Sequence, residues 1–384
     1  LGNVEIKESL FDKKSLFNIK RARLGNIKID RPMKTINIGR AGYTMINELK
    51  NTFENPILEY SRTVREKNVE IIRTGEEKRV YQFFHFKKWM RDYSFIFTHT
   101  FKFNPFNAFK KLEELEGYIR PYAEISAILL VPNIKISIYD EQTREMKRII
   151  NLDNYIEFVT KIYSILDYRN KKPIFAPLSL RFGYDEIERL ANEYIKNEFN
   201  CVWIDFEGSA ITELKVAKVK LFVSKFEKAG RLNDLVIFAT NIKREIISNI
   251  KSDKSPASDV LAPLIGANIV GVNKEPLKIP GQQYVEHIEE LRKHKARVFD
   301  ASTYYYLKLD ITNYTPEEKN KLMSPDYNIL FNSKLLDNEF MTQAHRLLEE
   351  GTLKDYVGKK EMLNERRELM RYLFVHEKRL DEYI

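Results

Sequence analysis

Residues 174–239 decide the fold. They read Ile174-Phe175-Ala176-Pro177-Leu178, a helical stretch over 185–198, Val202-Trp203-Ile204-Asp205-Phe206, a second helical stretch over 210–229, and Leu235-Val236-Ile237-Phe238-Ala239. Each short run is rich in Ile, Val, Leu and Phe without strict polar alternation, as in strands buried on both faces. Strand alternating with amphipathic helix predicts a parallel sheet. Working outward, five further runs complete the series: Thr35–Ile38, Ile57–Tyr60, Phe95–Thr98, Ile128–Val131 and Ile269–Val272. Eight strand–helix repeats predict an α/β fold, a closed (β/α)8 TIM barrel over residues 34–275. Such barrels carry their active sites at the C-terminal ends of the strands.

A barrel needs roughly 250 residues, so a chain of 384 leaves room for appendages. Residues 1–33 read as an N-terminal β and basic segment, with a hairpin over 16–29. Residues 276–384 read as a C-terminal β and helical extension. Val69–Ile72 and Val80–Phe84 are expected to pair as a hairpin within an insertion, and Ile134–Tyr139 with Met146–Ile150 as another. Helices are expected over 106–119, 155–166, 242–250 and 284–295, and through the tail from Leu335 with breaks near Gly351 and Gly358. Ser258 or Asp259 is expected to cap the helix before the eighth strand.

The chain carries a net charge of +9, which suits an anionic partner such as nucleic acid. With Cys201 as its one cysteine, it can form no internal disulfide and no cysteine-based zinc site. No run reaches the roughly 18 apolar residues of a membrane span. A cytoplasmic protein without membrane, metal or cofactor is expected.

Candidate functional residues follow from the strand ends. Asp205 and Glu207, at i and i+2 on the sixth strand, share a face and would stand at the barrel mouth as a carboxylate pair. His99 ends the third strand and titrates near neutrality when unperturbed. Asn133, Arg181, Asn241 and Asn273 stand at other strand ends, where they could bond a base or phosphate. Lys13, Lys14, Lys20, Arg21 and Arg23, and Lys359, Lys360, Arg366 and Arg367, could track a nucleic-acid backbone. Tyr304-Tyr305-Tyr306 offers either stacking surface or core packing.

Three stretches together resemble the tRNA-guanine transglycosylase superfamily. Phe17-Asn18-Ile19-Lys20-Arg21-Ala22-Arg23-Leu24-Gly25 is similar to the segment that precedes the barrel there. Ile265-Gly266-Ala267-Asn268-Ile269-Val270-Gly271 is similar to the family's eighth strand. Leu330-Phe331-Asn332, with Ala344-His345-Arg346-Leu347-Leu348-Glu349-Glu350-Gly351-Thr352-Leu353, is similar to its ending. The resemblance implies exchange of a guanine-type base, through attack by an Asp carboxylate on the anomeric carbon of a nucleotide in tRNA or DNA.

The chain departs from that pattern. His99 falls where the family has its acid–base Asp, Asn133 where it has the base-reading Asp, and Gly271 where it has the nucleophile. The zinc cluster is missing, and Phe331 stands in place of its distant His. A second alignment matches Phe299-Asp300-Ala301-Ser302-Thr303-Tyr304 to the archaeal members and makes Asp300 the nucleophile, with Ile269–Val272 then a ninth or surplus strand. Two readings stay open: an enzyme with relocated carboxylates (Asp205, Glu207 or Asp300), and a non-catalytic paralogue that binds nucleic acid or partners an active transglycosylase subunit.

Overall fold

The computed structural model describes residues 4–39, 43–74, 76–140, 143–169, 171–243, 253–272 and 295–374. The expected helices over 242–250 and 284–295, and Asn273, lie largely or wholly outside these residues.

Three strands open the chain: β1 (Val4–Phe11), β2 (Asn18–Leu24) and β3 (Ile27–Ile29), paired antiparallel in that order. The barrel follows, with staves β4 (Met33–Asn37), β5 (Ile57–Arg65), β6 (Ser94–Lys102), the broken fourth stave β7 (Leu129–Leu130) plus β8 (Asn133–Ile134), β11 (Ile174–Leu178), β12 (Cys201–Ser209), β13 (Val236–Ile242) and β15 (Ala267–Val270). All these pairings are parallel. Pro132 interrupts the fourth stave, so β8 pairs with β6 on one side and β7 with β11 on the other. Closure comes from Ile269 and Val270 pairing with Met33 and Lys34. The barrel is therefore complete with eight staves, and Ile269–Val272 supplies the eighth. The alignment that would make this run surplus is overturned by that pairing.

Outside the staves run α1 (Tyr43–Thr52), α2 (Val69–Thr74), α3 (Glu77–Phe84), α4 (Pro105–Ala108), α5 (Glu116–Ile125), α6 (Leu152–Arg169), α7 (Tyr184–Lys196) and α8 (Glu213–Lys228). The expected hairpin over 69–84 is instead α2 and α3. Its apolar residues Val69 and Ile72, then Val80 and Phe84, are three and four apart, which puts each pair on one helix face. The stretch 106–119 is divided among α4, a 3₁₀ turn over Leu112–Leu115 and the start of α5. The small hairpin β9 (Ser137–Asp140) with β10 (Glu145–Arg148) forms as expected. The helix before the eighth stave is a 3₁₀ helix, Ser258–Ile265. Its N-cap is Ala257 and makes no side-chain cap bond. Ser258 is not the cap; its hydroxyl accepts from the Ile211 N–H. Asp259 is not the cap either; it accepts from Tyr306.

The C-terminal part contributes β16 (Lys295–Asp300) and β17 (Tyr305–Asp310), paired with β14 (Lys254–Pro256). The helix Pro325–Glu350 packs on β4, α1 and β16. Arg31 fixes it to the barrel through a two-pronged ion pair with Asp337, at 3.1 and 3.0 Å.

The barrel interior divides by height. Its N-terminal half is apolar: Ile57, Ile96, Ile128, Leu130, Phe175, Cys201, Trp203, Val236, Phe238 and Ile269 fill it. Ala22, Leu24, Ile27 and Ile29 of the opening strands close it from below. Each such fully buried Ile, Leu or Phe contributes roughly 1.5–3 kcal/mol. The C-terminal half is polar, with Thr35, Glu59, Thr98, Thr100, Asp205 and Thr240 buried in it.

Candidate active site

Two carboxylates organise the upper half of the barrel. Glu59, on the second stave, is fully buried. Its Oε2 accepts from Thr35 Oγ1 at 2.8 Å and from the Val272 backbone N–H at 2.8 Å. Its Oε1 accepts from Thr240 Oγ1 at 2.6 Å and Thr98 Oγ1 at 3.4 Å. Those donors belong to the first and third staves, the seventh, and the segment just after the eighth. A second-stave side chain reaches the seventh stave only through the barrel interior.

Position 271 explains how the carboxylate fits. A Cβ there would stand 2.3 Å from Thr240 Cβ and 2.7 Å from Glu59 Oε2. The glycine clears the space that Glu59 and Thr240 fill. Alongside, Lys34 is buried and donates to the Gly271 carbonyl. Burial holds its ammonium below the ordinary lysine range, opposed by Asp259, Glu59 and Asp337.

Asp205 crosses the barrel from the sixth stave, 7% exposed. Its Oδ2 accepts from Thr100 Oγ1 at 3.0 Å. Its Oδ1 accepts from Asn241 Nδ2 and from the Glu207 N–H, both at 2.8 Å. Backbone at this rim is left-handed at Glu207 (φ 55°), Gly208 (φ 71°) and Asn241 (φ 59°). That conformation is costly for Glu and tolerated by Asn and Gly, and strain of this kind gathers at functional sites. Glu207 is held in it by the bond of its N–H to Asp205 and by ion pairs to Arg181 (3.3 Å) and Lys135 (3.5 Å). Asn241 Oδ1 is buried without a hydrogen-bond partner among the described residues.

Asp205, Glu207, Arg181 and Asn241 thus meet at one rim, as their strand-end positions suggested. Asn133 is buried nearby, with Oδ1 taken by the Tyr155 hydroxyl at 3.1 Å. His99 is not part of this site. Its ring lies among Phe97, Phe101, Tyr118 and Tyr122, with Nδ1 on the Tyr118 hydroxyl (2.6 Å) and Nε2 on the Leu130 carbonyl (2.9 Å). Successive strand residues face opposite sides. Thr98 and Thr100 point inward, so His99 points out into the helix layer. Thr100 is the third-stave residue that reaches Asp205.

Asp300 is also placed elsewhere. It ends β16 and accepts from Ser302 N (3.1 Å), Ser302 Oγ (2.9 and 2.8 Å) and Thr303 Oγ1 (2.5 Å), all in its own turn. Partial burial pushes its carboxyl up, but the bonds from Thr303 and Ser302 outweigh this and hold it below the usual range. Tyr304, Tyr305 and Tyr306 are buried, their hydroxyls donating to Glu339, Glu365 and Asp259. They are core, not a stacking surface.

The basic residues separate by place. Lys20 is 1% exposed and donates to the carbonyls of Asn233, Leu235 and Leu232 at the foot of the barrel. It cannot meet a nucleic-acid backbone. Arg21 pairs with Glu8, and Arg23 bonds the Gly25 carbonyl. A Cβ on Gly25 would stand 3.4 Å from Pro173 and 3.5 Å from Ala127, at the N-terminal ends of the fifth and fourth staves. Arg21 and Arg23 therefore belong to the end opposite Asp205. Lys13 and Lys14 are exposed in the turn between β1 and β2. Lys360 is buried over the Tyr304 and Tyr356 rings and donates to the Ala301 carbonyl. Lys359 and Arg367 are exposed and Arg366 is half-buried; Lys359 and Arg366 cap the ends of short C-terminal helices, and Arg367 opens the next one.

Burial lowers the Lys20 ammonium to about 8, opposed by Cys201 and Asp234. The unfolded chain, with lysine at its ordinary 10.5, then binds the extra proton between about pH 8 and 10.5. This group's contribution to stability therefore rises with pH across that window. Urea unfolding of the parent and a Lys20→Met variant at pH 8 and 10 should show the rise as a difference between them. Parallel pH profiles would refute a buried ammonium here.

Among the described residues no group of three or more His, Cys, Asp or Glu is arranged to hold a metal ion. No helix among them is long and apolar enough to cross a membrane. No family model matches this chain, and no curated protein matches it in sequence. Among solved structures it is similar to the DHODH of Eimeria tenella, determined in complex with ferulenol. The match has 12% identity and a TM-score of 0.37, over 70% of this chain and 78% of the other.

Proposed function

We propose that the chain is a transglycosylase-like protein that takes a guanine or 7-deazaguanine nucleotide of tRNA, or of DNA, into the C-terminal mouth of the barrel. The observation that carries this reading is the setting of Asp205. It is a carboxylate at the rim, oriented by Thr100, Asn241 and the Glu207 N–H. The order of the three resembling stretches supports it. In this reading a carboxylate oxygen of Asp205 bonds to the anomeric carbon as the carbon–nitrogen bond breaks. The electron pair leaves with the base, which takes up a proton. The incoming base then reverses the step. The buried Asn241 Oδ1 is an acceptor suited to an N–H on a purine edge. A cytoplasmic location goes with this reading, since the single Cys201 is buried and reduced.

A second reading rests on its own observation. Both oxygens of Asp205 already accept protein hydrogen bonds, and Gly271 offers no carboxylate. That favours a non-catalytic paralogue that binds nucleic acid or partners an active subunit.

The test is incorporation of labelled guanine into tRNA and duplex DNA, with Asp205→Ala and Asp205→Asn variants checked for folding by melting. Incorporation by the parent, reduced at least 10³-fold in both variants, is the expected result. Full activity in the variants would remove Asp205 from the reaction. No incorporation by a parent that still shifts tRNA on a gel would select the non-catalytic reading.

A further inference from the structure

Above the Asp205 layer stands an arc of cations on successive staves. Arg65 ends the second stave and faces Lys102, at the end of the third, directly across the β5–β6 register. The next stave continues the row. Ile134 pairs with Phe101, and the N–H of Lys135 donates to the Phe101 carbonyl at 2.9 Å, so Lys135 stands beside Lys102. Arg181 follows the fifth stave, and Lys215 lies in the first turn of α8, after the sixth. Lys102 lies two residues beyond Thr100, on the same strand face as the hydroxyl that holds Asp205.

Like charges set opposite each other on neighbouring strands destabilise a sheet. The carboxylate among them is Glu207, which pairs with Lys135 and Arg181. Among the described residues no carboxylate lies within ion-pair distance of Arg65 or Lys102. The crowding leaves its mark on two half-buried lysines. Lys102 is lowered by burial and then by Lys135 and Arg65, against Glu207. Lys215 is brought to about 8 by burial and then by Arg181, again against Glu207. A fold that keeps these charges at the mouth, at a cost, is set up for an anion that relieves it.

We infer that the arc of Arg65, Lys102, Lys135, Arg181 and Lys215 is a phosphate site, which takes a backbone phosphate of the nucleic-acid strand whose nucleotide enters the mouth. Glu207 holds Lys135 and Arg181 in place, and Arg65 and Lys102 present their charges to the phosphate. The nucleic-acid source rests on the function proposed above; base exchange itself is not required for it. The site replaces the N-terminal Lys20, Arg21 and Arg23 as the place of backbone contact.

The experiment measures binding of a labelled single-stranded RNA across a salt series, with inorganic phosphate as a second probe by thermal shift. Lys102→Gln should weaken RNA binding about tenfold and reduce the slope of log K against log salt by about 0.7, the effect of one lost phosphate contact. Arg23→Gln, at the opposite end, should leave both unchanged. In phosphate-free buffer Lys102→Gln should melt at or above the parent, because a repulsion is removed, so misfolding cannot account for lost binding. RNA binding by Lys102→Gln with the parent's affinity and slope would overturn the inference. Thermal stabilisation of the parent by inorganic phosphate, with RNA binding indifferent to Lys102, would show a free-phosphate site and overturn the strand contact. If the variant loses RNA binding and the parent exchanges no base, the phosphate site stands and the transglycosylase reading falls. Exchange that persists unchanged in Lys102→Gln has the opposite meaning.

Discussion

Replacing Glu59 with Ala should cost the barrel about 4 kcal/mol, because it strips the acceptor on which four buried donors converge. Three of these are hydroxyls of Thr35, Thr98 and Thr240, and the fourth is the backbone N–H of Val272. The hydroxyls can turn in part to other acceptors. Thr98 already lies 3.4 Å from the Tyr60 carbonyl, and Thr240 3.5 Å from that of Val272. The Val272 N–H has no such freedom, and an unsatisfied buried amide costs roughly 1–3 kcal/mol by itself. The lost side chain adds a cavity in a closely packed layer. Glu59→Gln keeps one oxygen but turns an NH₂ toward donors, so its loss should be about half as large. Urea unfolding at pH 7 should rank parent above Gln above Ala. An Ala variant within about 1 kcal/mol of the parent would mean that the upper barrel is not organised around this carboxylate.

Glu59 is also where the sequence was hardest to read. Inside the run Ile57–Tyr60 it passes as one polar residue in a strand. Yet a carboxylate in an otherwise apolar stave must be paired or pushed to the surface. The pairing partners were visible as threonines inside or beside three other runs, at Thr35, Thr98 and Thr240. The staves themselves were legible because most are short, predominantly apolar runs followed by helical spacing, and parallel strands covered on both faces have that form. Parity would have corrected two residues. His99 sits between the inward Thr98 and Thr100, so it faces out. Lys20 alternates with Asn18, Ala22 and Leu24 on the buried face of β2, so it faces in. Asp205, Glu207, Arg181 and Asn241 were found because the C-terminal ends of barrel staves are where polar residues converge. The row of Arg65, Lys102 and Lys135 was missed because it exists only once the register of three separate strands is known.

Gly271→Ala should be the most damaging single methyl added to this protein, with an expected loss of about 3–5 kcal/mol and on the order of 10 °C in Tm. The new Cβ would lie 2.3 Å from both Cβ and Oγ1 of Thr240 and 2.7 Å from Glu59 Oε2. Real carbon atoms do not approach so closely, and Thr240 Cβ cannot retreat, since it is fixed to the seventh stave. That stave is paired on both sides, Ile237 with Val202 of the sixth and Phe238 with Ile269 of the eighth among others. Relief would require the seventh and eighth staves to move apart where Glu59 accepts from Thr240 and from Val272, so the clash and the loss of the carboxylate network are one event. The two positions should therefore couple. In a double-mutant cycle, Thr240→Gly removes the obstructing Cβ and should recover about 1–3 kcal/mol of the Gly271→Ala loss, although Thr240→Gly is itself destabilising. Additive losses would show that the eighth stave yields without reference to Thr240. The same geometry bears on the chemistry. A carboxylate cannot be placed at position 271 while Glu59 holds its place, so Gly271→Asp should fold worse than Gly271→Ala rather than gain base-exchange activity.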